Sequence, residues 1–117
     1  MKVQVNTDVN IEGHEALAAQ VRATVELALD RVLEHITRVE VHLSDQNGPM
    51  RGSQANQPDK RCVMEARLEG RQPIAVTDQA ATVDQAVQGA AGKLARMIDS
   101  ALGRAAQADR PTGQVLP

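Results

Sequence analysis

Phe, Tyr and Trp are absent from this chain. Aromatic side chains bury the largest areas in most cores, so Val, Leu, Ile, Met and Ala must fill this one. The same absence removes the stacking platforms that single-strand RNA readers of the RRM type use. Folded RNA recognised by shape and phosphate needs no such rings. A basic excess is also missing, since 13 Lys and Arg stand against 15 Asp and Glu for a formal charge of −2. Global charge therefore argues against general nucleic-acid binding, which draws its affinity from counterion release, but leaves room for a local basic patch. A single cysteine, Cys62, excludes an internal disulfide and agrees with a reducing compartment. Residues 1–6 lack the apolar core of a signal peptide. No apolar run approaches the ~20 residues that a membrane span needs. The expected location is the cytoplasm, with no membrane partner.

Catalytic and metal signatures are equally sparse. There is no Walker A loop and no GxGxxG. His14, His35 and His42 are the only histidines, and none is paired at i, i+4 or set in an acidic cluster. Zinc requires several Cys and His at close spacing, and Cys62 stands alone. Cys62 falls at an inward strand position, where a thiol serves as a small core hydrophobe rather than a nucleophile. The sequence thus predicts no enzyme, no metal, no cofactor and no small-molecule substrate.

What is present is patterning. The chain's 117 residues suit one domain. Residues 2–9 alternate, with Val3, Val5, Thr7 and Val9 facing one way, which predicts a half-buried strand. From His14 the period changes. Leu17, Val21, Val25, Ala28, Leu29, Val32 and Ile36 recur at three- and four-residue steps, which predicts an amphipathic helix of about six turns. Alternation returns at Val39, Val41 and Leu43, and again at Cys62, Met64, Ala66 and Leu68. Between these two strands, Asp45 to Asp59 reads as a long polar loop rich in Gly, Pro, Ser, Asn and Gln. The turn from Gly70 to Pro73 predicts a hairpin into a fourth strand, residues 74–77.

Thr77 or Thr82 is placed to cap a second helix. Val83, Val87, Ala90, Leu94, Met97, Ile98, Ala101 and Leu102 form its apolar stripe, and Gly89 to Gly92 make its middle small enough for close approach to another surface. The order βαβββα predicts an α+β fold, a four-stranded mixed sheet with two helices packed on one face. The other face would carry Lys2, Gln4, Asn6, Glu40, His42, Arg61, Glu65 and Arg67. The domain spans residues 1–106, and residues 107–117 read as a mobile tail.

Local basic groups stand out on the third strand, Lys60, Arg61 and Arg67, and on the second helix, Lys93, Arg96 and Arg104. Lys93 and Arg96 share a helical face at i, i+3. A helix C-terminal half rich in cations also complements the macrodipole.

The element order and the segment Gly92-Lys93-Leu94-Ala95-Arg96 resemble the ribosome hibernation-promoting factor family, also called RaiA-like or sigma-54-modulation-like. The helix near Glu15-Ala16-Leu17 fits the same layout, and the resemblance covers about residues 2–105. It implies a ribosome-associated translation inhibitor of slow growth and stress, of bacterial type, bound to the rRNA of the small subunit where mRNA and tRNA pass. Longer members add a C-terminal domain that pairs two ribosomes, and this chain looks like a short form without it. By position, Lys93 and Arg96 would meet rRNA phosphates, with Arg104 following by helical continuation. Lys60, Arg61 and Arg67 are candidates on charge alone. The last helix holds fewer cations than typical ribosome-binding members. The alternative reading is therefore a protein-interaction module that kept the fold without the ribosome, monomeric or weakly dimeric.

Overall fold

The computed structural model describes residues 1–8, 14–45 and 59–108, with side chains described for residues 1–8, 15–45 and 59–103. The elements run β1 (Lys2–Thr7), α1 (His14–Ala28), a 3-10 turn (Asp30–His35), β2 (Ile36–Asp45), β3 (Lys60–Leu68), β4 (Ile74–Ala80) and α2 (Val83–Ala108). The predicted loop interior and the predicted tail fall largely outside the described residues.

The sheet has the order β1-β2-β3-β4, with β1 parallel to β2 and the other neighbours antiparallel. The parallel pair follows from the helical crossover, which is long enough to return the chain to the same end. The β3–β4 hairpin turns through Gly70, whose φ of 71° lies in the left-handed region, where a Cβ would clash. Thr82 rather than Thr77 caps α2, its hydroxyl accepting the Gln85 N–H at 3.1 Å. Thr77 lies inside β4.

Period-2 patterning places the core. Val39, Val41 and Leu43 of β2 and Cys62, Met64, Ala66 and Leu68 of β3 all turn one way and are buried. Val21, Val25 and Leu29 come down on them from the α1 side, and Val87, Leu94 and Ile98 from α2. Ala86, Ala90 and Ala91 are also buried, small residues where α2 meets the sheet. Arg31 donates to Asp99 at 2.5 Å and ties the 3-10 turn to α2 across the top of this core.

Four expectations change. The six-turn first helix is shorter, because α1 ends at Ala28, which is exposed, and the chain tightens into the 3-10 turn. Ile36 opens β2 and stays buried through a bulge: Ile36 pairs with Leu68 and Arg38 with Arg67, so Thr37 is the extra residue. Met97 lies at the margin of the α2 stripe and is 47% exposed. β4 also runs to Ala80, past the predicted residue 77.

Cys62 is wholly buried, and burial, with the nearby Asp78 carboxylate adding to it, pushes its thiol up to about 12. Native protein should therefore resist a thiol reagent at pH 8 and react once unfolded. The unfolded thiol ionises first as pH rises, so the unfolded state holds fewer protons and stability falls. The fall begins near pH 9 and steepens to about 1.4 kcal/mol per unit until the folded thiol also ionises. Cys62→Ala should flatten that stretch of a urea-midpoint profile, and an unchanged slope would contradict the assignment.

Candidate nucleic-acid interface

The predicted cations do not converge on one surface. Alternation sends Arg61 and Arg67 to the sheet face opposite the helices, whereas Lys93 and Arg96 ride on α2. Lys60 lies at the end of β3, at the foot of the long loop.

On the open sheet face the register builds rows. Lys2, Arg38 and Arg67 sit side by side on β1, β2 and β3, and Gln4, Glu40 and Glu65 form the next row. Glu40 draws the two rows together: its carboxylate lies 3.3 Å from Arg38 Nε, 4.0 Å from Arg67 Nε and 3.6 Å from His42 Nε2. Arg67 also lies 3.8 Å from Glu65, and an Arg38 terminal nitrogen donates to Gln4. Arg38 Nε is shut away from solvent without a well-aligned hydrogen bond, so the Glu40 contact is Coulombic. Arg38 and Arg67 are thus already opposed by carboxylates, while Lys2 at the edge of the row is exposed. Arg61 lies beyond it, exposed between Ser44 and Gln79.

Lys60 is engaged from two sides. Its ammonium lies 3.0 Å from Asp59 and 3.4 Å from Asp45. The hydrogen bond it donates to Asp59, with Asp45 assisting against the cost of burial, holds it above the usual lysine value. Asp59 is itself buried. Lys60 thus closes the base of the loop rather than facing outward.

The α2 edge is different. A shallow groove of about 360 Å³ runs between β4 and α2, lined by Val76, Lys93, Arg96, Met97 and Ser100. The Arg96 guanidinium lies over Gly92, its Nη1 in ordinary contact range, 3.6 Å, of where a Cβ would stand. Arg96 is exposed and meets no carboxylate among the described residues. Lys93 has partners: it donates to the Thr77 carbonyl at 3.0 Å and to Asp78 at 2.9 Å. A Cβ at Gly89 would stand 1.8 Å from an Asp78 carboxylate oxygen, so that glycine makes room for the carboxylate. The close approach expected of the small stretch is thus intramolecular, with Ala90 and Ala91 buried beside it. Arg104 lies within α2, its side chain outside the description.

Sequence reasoning missed Asp78 and Arg38. Asp78 had one signal, an acid at an inward position in the alternation that begins at Val76. Arg38 had one too, the outward step before Val39 in the alternation of β2. Among the described residues, no three His, Cys, Asp or Glu come together as metal ligands would, and no helix is long and apolar enough to cross a membrane.

The family model described as sigma 54 modulation protein / S30EA ribosomal protein matches residues 4–105. No curated protein matches. Among solved structures, a ribosomal subunit interface protein from Coxiella burnetii superposes with a TM-score of 0.63 at 16% identity, covering 88% of this chain and 99% of its own. The N-terminal domain of Thermus thermophilus protein Y gives a TM-score of 0.62 at 20% identity, covering 84% and 96%. At such identities the likeness is one of fold, and it agrees with the four-stranded mixed sheet and its two helices.

Proposed function

This chain belongs to the sigma 54 modulation protein / S30EA ribosomal protein family, and we propose from that premise that it binds the small ribosomal subunit and represses translation there. Its partner is rRNA, met through phosphates in the cytoplasm, with no cofactor. The observation that carries this reading is Arg96: an exposed guanidinium on α2 with no carboxylate partner among the described residues, beside Ser100 and Lys93. A guanidinium so placed can take a phosphate in a two-pronged contact. The open sheet face supports the role less, because Glu40 and Glu65 already engage Arg38 and Arg67 there.

Among the described side chains of α2, Arg96 is the one unpaired cation; an edge with few free cations releases few counterions, so binding should be salt-sensitive but shallow in slope. Sedimented with purified small subunits at about 50 mM salt, the protein should travel with them, and most should be released by about 200 mM. In a cell-free translation reaction at low salt, added protein should lower output. Protein that stays at the top of the gradient at low salt, or travels only with large subunits, would sink the proposal.

A further inference from the structure

We propose that Asp78 is a built-in competitor for phosphate at Lys93, setting how tightly the α2 edge holds RNA. The inference rests on the reading of α2 as an RNA-facing edge. A lysine ammonium has three N–H donors, and Lys93 commits to Asp78 at 2.9 Å and to the Thr77 carbonyl at 3.0 Å. The carboxylate is held in place by construction. Asp78 points to the helix side of the outermost strand, and Gly89 supplies the gap it occupies, since a Cβ there would stand 1.8 Å from its oxygen. Asp78 is less exposed than Lys93, 23% against 45%, so the acid is the fixed partner and the lysine the accessible one. An incoming phosphate at the groove beside Arg96 must draw the ammonium from an anion already in position, or share it against that anion's repulsion. Two groove cations then count as little more than one.

Asp78→Asn keeps the shape and the hydrogen-bonding oxygen while removing the charge. Affinity is read by fluorescence anisotropy on a dye-labelled RNA duplex and by sedimentation with small subunits, each over a salt series. The variant should bind both about two- to fivefold more tightly, the range that an exposed ion pair can hold back. Its log–log salt slope should steepen by about one unit, as one more phosphate contact requires. Lys93→Met should remove that gain: Asp78→Asn in its background should bind no better than Lys93→Met alone. Urea midpoints confirm that the variants fold. An unchanged affinity and slope in Asp78→Asn overturns the proposal, as does a gain that survives in full without Lys93, and as does failure of both wild type and variant to bind either probe. If wild type binds duplex but not subunits, the ribosome reading falls, and the duplex series still decides the role of Asp78.

Discussion

Arg96→Glu should cost the protein about thirtyfold in affinity for small ribosomal subunits at low salt. A hydrogen bond to a charged partner is worth about 2 kcal/mol, and reversal adds repulsion from the same phosphate. The salt slope should fall by about one unit, because one counterion fewer is released. Arg96 is exposed and pairs with no described carboxylate, so the fold should not register the change. The stability read from the urea midpoint should stay within about 0.5 kcal/mol of wild type. Gradient sedimentation across a salt series, beside a melt followed by far-ultraviolet circular dichroism, separates the two quantities. Equal co-sedimentation of variant and wild type would remove the α2 edge from the binding surface.

Leu94→Ala should destabilise the domain by about 3 kcal/mol. Leu94 is wholly buried, between α2 and the sheet, and buried Leu to Ala changes cost about 2–5 kcal/mol. The loss stays above the bottom of that range because the surrounding core is aliphatic and partly Ala, with no aromatic ring to swing into the cavity. Against a typical stability of about 5–15 kcal/mol, such a loss is a large fraction. At a urea dependence of about 2 kcal/mol per molar, the midpoint should drop by about 1.5 M. The chain has no tryptophan or tyrosine to report by fluorescence, so dichroism at the helix band is the signal to follow. A shift under about 0.5 M would mean that α2 packs less intimately than its burial indicates.

The parts legible in the sequence were those governed by strict period. Val39, Val41 and Leu43, and Cys62, Met64, Ala66 and Leu68, fall at every second position, and all are buried. The first helix was legible at its start and not at its end. Leu29 and Val32 are three apart, and a 3-10 turn stacks i and i+3 as readily as an α-helix does, so the hydrophobic spacing continued after the helix had stopped. Ile36 then met the core through a bulge that no spacing rule announces. β4 ran on past Thr77 because Asp78 and Gln79 broke the apolar signal while the backbone pairing to Cys62 and Arg61 continued.

The candidate site was legible as residue types and not as available charge. Lys93 with Asp78, and Lys60 with Asp45, are fifteen residues apart in sequence and meet only in the folded sheet. Whether a cation is free or spoken for is a property of tertiary register, and composition carries no trace of it. Arg96, at a helical step from Lys93, shares its face and not its partner.

The clasp of Lys60 with Asp45 and Asp59 has one more consequence. Asp45 and Lys60 are register partners across β2 and β3, and the ionic contact fixes the two ends of the intervening segment at strand spacing. For any flexible connection fastened at both ends in this way, closure entropy grows only with the logarithm of its length. Doubling it adds about 0.6 kcal/mol. Insertions and deletions between residues 46 and 58 are therefore close to invisible to the sheet, and this is the place where the chain can lengthen, shorten or accept a grafted sequence while the rest of the molecule stays as it is.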